Sequence, residues 1–98
     1  MLAATAGCQS SGGTPAAAGP MVDPAGFVGH TEAEVTGALG LPDNARAELD
    51  AQILQYTGPD CVVDFFLYPE GGVQVVAHAE ARDRTTGAAL SRCAMQAG

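Results

Sequence analysis

The sequence predicts an α+β domain, in which an N-terminal helix packs on a small antiparallel β-sheet and a short C-terminal helix is tied back by a disulfide. Three observations support this fold class. A helix-capping motif and a short apolar stripe begin at Thr31. Residues 61–68 and 73–82 are rich in residue types that favour strands or alternate along the chain. Cys61 and Cys93 both lie in this region, where a disulfide can join distant elements.

The segment before Cys8 resembles the end of a bacterial export signal. Thr5-Ala6-Gly7-Cys8 is similar to a lipobox, where the cysteine is diacylated and the signal is cut before it, with Thr5 at a usually aliphatic position. No basic n-region precedes it here, and the simplest account is a start assigned too late or a fragment. We expect Cys8 to be lipidated because the motif lies at the N-terminus and a linker follows it at once. Two or more acyl chains then anchor a protein stably. A chance cysteine in a disordered leader is the alternative.

A linker is predicted after this cysteine. From Gln9 to about Asp23 the chain is mostly Gly, Ser, Thr, Ala and Pro and has no periodic apolar pattern, which is typical of a flexible tether. The expected organisation is therefore a residual signal peptide and lipobox at 1–7, the lipidated cysteine and linker at 8–25, and one small α+β domain at 26–98.

The first predicted element of the domain is a helix. Thr31 and Glu34 fit the capping-box pattern, in which each side chain bonds the backbone amide of the other residue. Val35, Ala38 and Leu39 then form a stripe at helical spacing. Gly40 and Pro42 mark the end of the helix, because glycine suits the position after a helix and proline does not continue one.

Residues 46–56 fit two secondary structures. Leu49, Ile53 and Tyr56 lie at helical spacing, and local propensity favours a helix. The same stretch also reads as a hairpin with strands at 46–49 and 52–57 around Asp50-Ala51. The family resemblance described below favours strands, and we predict strands.

A second hairpin is predicted from residues 61–68 and 73–82, and its loop sets which side chains face the core. A three-residue loop, Glu70-Gly71-Gly72, pairs Pro69 with Val73 and Phe65 with Ala77. One face then carries the apolar residues Cys61, Val63, Phe65, Leu67, Val73, Val75, Ala77, Ala79 and Ala81. A two-residue loop would mix the faces and leave polar groups in the core, so we predict the three-residue loop.

The C-terminal residues 85–95 are predicted to form a short helix over the sheet, because Ala89, Leu90, Cys93 and Ala94 lie at helix-compatible spacing. In the predicted register Cys61 points into the core, within reach of Cys93. A disulfide closing a loop of roughly 33 residues stabilises by about 3.7 kcal/mol in the chain-entropy model, and it agrees with an exported protein. Two buried free thiols are the alternative.

The charge of the chain excludes some partners. The formal net charge is −7, there is no lysine, and the only cations are Arg46, Arg82, Arg84 and Arg92. Nucleic acid binding and adsorption to anionic lipid both need clustered basic residues. We therefore expect no nucleic acid partner, and membrane attachment only through the N-terminal lipid.

Candidate chemistry is sparse. The predicted register sets Asp64 opposite His78, with Glu80 and Arg82 along the same strand. Asp64, His78 and Glu80 could supply three ligands or an acid–base pair, but no HExxH or CxxC spacing accompanies them. We predict no catalytic residues, no metal and no cofactor, with an envelope enzyme using these three residues as a less favoured alternative. His30, just before the helix, is expected to be exposed.

The same face is half apolar and is the predicted partner-binding surface. Its residues are Val62, Asp64, Phe66, Tyr68, Val76 and His78. Aromatic side chains within a polar ring are typical anchors of protein interfaces. For a small acidic domain without a recognisable pocket motif, we predict binding to an envelope protein.

The chain resembles the SmpA/OmlA (BamE-like) family in the motif Gly29-His30-Thr31-Glu32-Ala33-Glu34-Val35, in Leu39-Gly40-Leu41-Pro42 and in Gln55-Tyr56. It is also similar to small Gram-negative lipoproteins in Asp60-Cys61, Phe66-Leu67-Tyr68 and His78-Ala79-Glu80. The family resemblance implies a helix followed by an antiparallel sheet, and a lipoprotein on the periplasmic side of the outer membrane. The expected function is a non-catalytic accessory or scaffold in an envelope protein complex. The same local pattern occurs in β-lactamase-inhibitor-like proteins. The alternative function is a periplasmic inhibitor or binding module of a soluble enzyme.

Overall fold

Strands dominate the structure of this chain. The computed structural model describes residues 18–96, and strands make up 56% of it. The strands are β1 (Ala18–Val22), β2 (Asn44–Glu48), β3 (Ala51–Thr57), β4 (Cys61–Glu70), β5 (Val73–Asp83), β6 (Ala89–Leu90) and β7 (Cys93–Gln96). A 3-10 turn (Pro24–Phe27) and one helix, α1 (Glu32–Leu39), lie between β1 and β2.

The strands form two antiparallel sheets. The larger sheet follows chain order, β2-β3-β4-β5-β6, and the smaller one pairs β1 with β7. The core lies between the smaller sheet, the turn and α1 on one side and one face of the larger sheet on the other, which we call the inner face. Its buried residues are Val22, Val35, Leu54, Tyr56, Cys61, Val63, Phe65, Leu67, Val76, Ala81, Cys93 and Met95. Phe65 lies at the centre, with the rings of Phe27 and Tyr56 packed edge-on against it.

The predicted α+β class is wrong, because the C-terminal segment forms strands and not a helix. Ala89 and Leu90 pair with Arg82 and Ala81 on β5, and β7 pairs with β1. The Asp83 carboxylate accepts hydrogen bonds from the amides of Thr85 and Thr86, at 2.8 and 3.0 Å, and so starts a turn. The apolar spacing suits a helix, but the backbone groups of the segment bond to sheet edges.

Strand β1 lies inside the stretch that the sequence analysis assigns to the linker. Met21 pairs with Ala94 and Val22 with Cys93. Val22 is buried in the core, so this end of the expected linker belongs to the folded domain. The earlier part of the linker and the lipobox lie outside the described residues.

The N-terminal helix is confirmed. The Thr31 hydroxyl accepts a hydrogen bond from the Glu34 amide at 3.2 Å, and the Glu34 carboxylate accepts one from the Thr31 amide at 2.8 Å. Gly40 ends the helix at a φ of 84°, a conformation that glycine adopts without steric cost. Val35 is the fully buried residue that attaches the helix to the core.

Strands are also confirmed at residues 46–56. The turn between β2 and β3 is Leu49-Asp50, one residue earlier than expected, and Glu48 pairs with Ala51. Leu49 adopts a φ of 56°, which is uncommon for a residue other than glycine.

The predicted register of the second hairpin is wrong. Its loop is the two residues Gly71-Gly72, both with positive φ, and Glu70 pairs with Val73. The register then shifts by one residue at Ala77, because Leu67 pairs with Val76 and Phe66 with His78. The two-residue loop pairs Val76 with Leu67, and so turns Val76 inward and Val73 and Val75 outward. The register shift is a β-bulge, and it keeps His78 out of the core, which a two-residue loop without a bulge could not do.

The disulfide between Cys61 and Cys93 is confirmed. It joins β4 of the larger sheet to β7 of the smaller one, with Cα atoms 5.8 Å apart. Both cysteines are buried in the core. The bond therefore ties together the two layers that enclose the core.

Candidate functional site

The face of the larger sheet that points away from α1 and the smaller sheet is the candidate site, and we call it the outer face. The register places on it Arg46, Ile53, Gln55, Val62, Asp64, Phe66, Tyr68, Val75, His78, Glu80 and Arg82. Within residues 18–96, the elements outside the larger sheet contribute their buried side chains to the inner face. The outer face is thus one layer of side chains on the larger sheet.

The residues of the predicted partner-binding surface lie on this face, with one exception. Val62, Asp64, Phe66, Tyr68 and His78 alternate as expected along β4 and β5. Val76 is instead 1% exposed and part of the core. The reason is the two-residue loop, which pairs Val76 with the inward-facing Leu67, while the bulge at Ala77 returns His78 to the outer face.

Asp64 is the most constrained polar group of the outer face, at 5% exposed. The Gln55 amide donates a hydrogen bond to its Oδ1 at 2.9 Å, and Arg82 donates one to its Oδ2. This hydrogen bond and the carboxylate charge raise the pKa of the Arg82 guanidinium. Both carboxylate oxygens are engaged, so Asp64 is the centre of a hydrogen-bonded cluster with Gln55 and Arg82.

His78 lies opposite Phe66 and not opposite Asp64, contrary to the predicted pairing. Its ring centroid is 5.4 Å from that of Phe66, with the planes tilted by 43°. Its Nε2 atom is 3.9 Å from Glu80 Oε1, and both side chains are exposed. In the part of the chain that the structure describes, no three His, Cys, Asp or Glu side chains are grouped to hold a metal ion. The geometry therefore gives no support to the three-ligand alternative.

The apolar part of the face extends further than the sequence predicts. Ile53 lies between Arg46 and Phe66 on the neighbouring strands, and it is only 2% exposed although it belongs to the outer face. Ile53 and Gln55 were not predicted as site residues. The available signal was the alternation along residues 51–57, which becomes informative only when β3 is known to be a strand beside β4.

Two open grooves lie away from the outer face. One, of about 500 Å³, borders the β2–β3 turn and includes Ala45, Ala47, Leu49 and Gln52. The other, of about 370 Å³, lies between the start of α1 and the β4–β5 turn. Gln74 lines both, and its buried Oε1 atom has no hydrogen-bond partner among residues 18–96. Neither groove gathers the acid, base and nucleophile that a hydrolytic site needs.

The structure bears on membrane attachment in one respect only, the length and character of its helices. Cys8, the predicted lipidation site, lies outside the described residues. From Ala18 to Gln96, no helix has the length and apolar character needed to cross a bilayer.

Comparison of this chain with protein-family models, with curated proteins and with solved structures finds no match.

Proposed function

We propose that this chain is a lipid-anchored accessory protein of the bacterial envelope, and that its outer face docks on a protein partner in an envelope complex. The observation that carries the proposal is the composition of that face. It presents aromatic and aliphatic side chains, Phe66, Tyr68 and Val62, around a polar cluster whose hydrogen bonds are already made.

The internal pairing of Asp64 favours docking. A charge without a partner is costly to bury in an interface, because its hydration is lost and not replaced. Asp64 already has Arg82 and Gln55 as partners, so covering it leaves no unpaired carboxylate. A partner gains the burial of Phe66 and Tyr68 at little cost in desolvation.

The anchor and the compartment rest on sequence features and on the disulfide. The lipobox-like residues before Cys8 support lipidation. The Cys61–Cys93 bond is of the kind that persists in oxidising compartments such as the periplasm. Because only nine residues separate Cys8 from β1, a lipid on Cys8 holds the folded domain near the membrane.

The net charge indicates the chemistry of the partner. At −7 the chain is repelled by anionic lipid, and it is attracted to a protein surface with basic residues. The expected partner presents an apolar patch rimmed by Arg or Lys, which fits the apolar centre of the outer face and the exposed carboxylate of Glu80.

The test compares complexes extracted in mild detergent from the native host and separated by native electrophoresis. Phe66→Ser removes the central anchor of the outer face, and Leu41→Ser is the matched control, because Leu41 is an 87% exposed apolar residue outside that face. We expect the Phe66 variant to migrate alone and the control to stay in its complex. Cys8→Ser should lose both membrane attachment and the complex.

Two results would contradict the proposal. A Phe66 variant that remains in the complex would exclude the outer face as the docking surface. A Cys8→Ser protein that still binds its partner in soluble extracts would favour the inhibitor alternative.

A further inference from the structure

The two edges of the larger sheet differ in whether other parts of the chain form hydrogen bonds with their backbone groups. On β5, the backbone of Val76 bonds to Gly29 and His30 at 2.8 Å each, and β6 pairs with Ala81 and Arg82. At the opposite edge all five residues of β2 are exposed. No backbone group between Ala18 and Gln96 bonds to the outward side of β2. An open edge of this length is a template for pairing with another strand.

The register shows which backbone amides and carbonyls of β2 point away from β3. The Gln55 carbonyl accepts a hydrogen bond from the Asp43 amide at 2.9 Å, and the Thr57 amide donates one to the Asp43 carboxylate at 2.7 Å. The odd-numbered residues of β3 therefore direct their backbone groups towards β2. Their partners on β2 are its even-numbered residues. Because backbone groups alternate along a strand, Ala45 and Ala47 direct their amides and carbonyls outward.

We infer that β2 pairs antiparallel with β2 of a second copy of this chain, around a two-fold axis at Ala47. In this arrangement the two Ala47 residues exchange hydrogen bonds, and Arg46 of each copy lies opposite Glu48 of the other. Both side chains are about half exposed and already 3.2 Å apart within one copy. Each guanidinium is then flanked by two carboxylates, one from each copy.

Several registers would join the inner face of one copy to the inner face of the other. The charges on β2 favour the axis at Ala47 among them. An axis at Arg46 sets the two arginines against each other, and an axis at Glu48 does the same for the two glutamates. An axis at Ala45 sets Arg46 opposite Asn44 and Glu48 opposite Pro42, so it forms no ion pair. Opposite charges on facing residues stabilise a strand pair and like charges destabilise it. The axis at Ala47 is thus the self-complementary choice.

A second observation, the full exposure of the Leu49 side chain, supports the same arrangement. It is fully exposed, at 104% of its reference area, with a φ of 56°. The inferred register places Leu49 of one copy opposite Ala45 of the other, beside the groove of about 500 Å³ that Ala45, Ala47 and Leu49 border. Pairing therefore brings an exposed apolar side chain next to an exposed apolar groove.

A cysteine crosslink tests the axis directly. In the full chain carrying Cys8→Ser, Ala47→Cys should form a disulfide dimer under mild oxidation, because the two Cα atoms are expected to lie about 5.5 Å apart. Ala45→Cys is the matched control, since its two copies are separated by about 14 Å. Equal crosslinking of the two variants, or none for Ala47→Cys, would overturn the inference.

Charge reversal tests the register by sedimentation over a range of concentrations. Arg46→Glu and Glu48→Arg should each weaken self-association by about tenfold or more, because each replaces two attractive pairs with repulsive ones. The double swap should restore association, and a mixture of the two single variants should associate more strongly than either alone. Protein that stays monomeric at all concentrations, or a double swap that does not recover, would contradict the pairing. These outcomes do not depend on the outer face, so they leave the proposed function to its own test.

Discussion

Arg82 bonds the carboxylate of Asp64 diagonally across two strands, although the residue directly opposite Asp64 is Glu80. Two facing carboxylates repel each other, and the arginine beside them compensates that repulsion. Gln55 holds the second oxygen of Asp64 from the opposite side. The polar centre of the outer face is therefore assembled from three strands, and its stability depends on all of them being in register.

A double-mutant cycle measures this pairing. Arg82→Met should destabilise the fold by about 2 kcal/mol, between the values for exposed and buried pairs, because it leaves the buried Asp64 carboxylate with Gln55 alone. Arg82→Met combined with Asp64→Val should recover to within about 1 kcal/mol of the native protein. Urea unfolding gives each value. A double variant that loses the sum of the two single losses would show that the residues do not interact.

The disulfide should account for a large share of the stability. Its partners are 32 positions apart in sequence, so replacing Cys61 and Cys93 with serine should cost about 3.7 kcal/mol in the chain-entropy model. Chemical unfolding with and without reductant tests this, and Cys8→Ser serves as the control for an unrelated thiol. A loss below about 1 kcal/mol would mean that packing alone holds the two layers together.

Gly58 should not tolerate a side chain. A Cβ atom at this position would overlap the backbone carbonyl of Ala94, next to the Cys93 sulfur. Gly58→Ala should therefore destabilise by about 2 kcal/mol, as overpacking typically does. Gly37→Ala is the control, since it lies in α1 with open space around it and should be neutral or slightly stabilising. If both variants unfold at the same temperature as the native protein, the close approach of β7 to this loop is wrong.

Tyr56 should account for part of the fall in the free energy of unfolding at alkaline pH. Burial raises its pKa from 10.0 to about 12, with smaller contributions from the carboxylates of Asp43 and Glu32. Between these values the unfolded chain loses the phenolic proton and the folded chain keeps it. Since the folded state binds more protons, its stability falls as the pH rises through this window.

Tyr56→Phe should remove that part of the slope. It should also cost about 1 kcal/mol at neutral pH, because the hydroxyl donates a hydrogen bond of 2.7 Å to the Gly40 carbonyl. Thermal unfolding at neutral pH and between pH 10 and 12 separates the two effects. An alkaline slope unchanged by the substitution would contradict the assignment to Tyr56.

The elements that could be predicted from the sequence are those fixed by neighbours along the chain. The capping box of α1 joins Thr31 and Glu34, three positions apart, so its residues identify it without knowledge of the fold. The existence of the β4–β5 hairpin is similarly local, although its loop is one residue shorter than predicted. The C-terminal segment is not, because its apolar spacing suits a helix and only the free edges of β5 and β1 make it a pair of strands.

The errors at the candidate site come from the β4–β5 hairpin. Its loop has two residues and not three, so Val76 pairs with Leu67 and lies in the core. The bulge at Ala77 then shifts the register once more, so His78 lies opposite Phe66 and not opposite Asp64. Together the loop and the bulge let Val76 and Ala81 both face the core, which is a property of the assembled fold. The lipid anchor, the compartment and the likeness to the SmpA/OmlA family remain predictions.

The most direct test of outer-face docking is photo-crosslinking in living cells of the native host. A photoreactive phenylalanine analogue replaces Phe66 on the outer face in one strain and Leu41 outside it in another, in a chain that retains Cys8. Docking through the outer face predicts a defined crosslinked product of higher mass from position 66 in the membrane fraction and none from position 41. The same product from position 41, or no product from position 66, would contradict it.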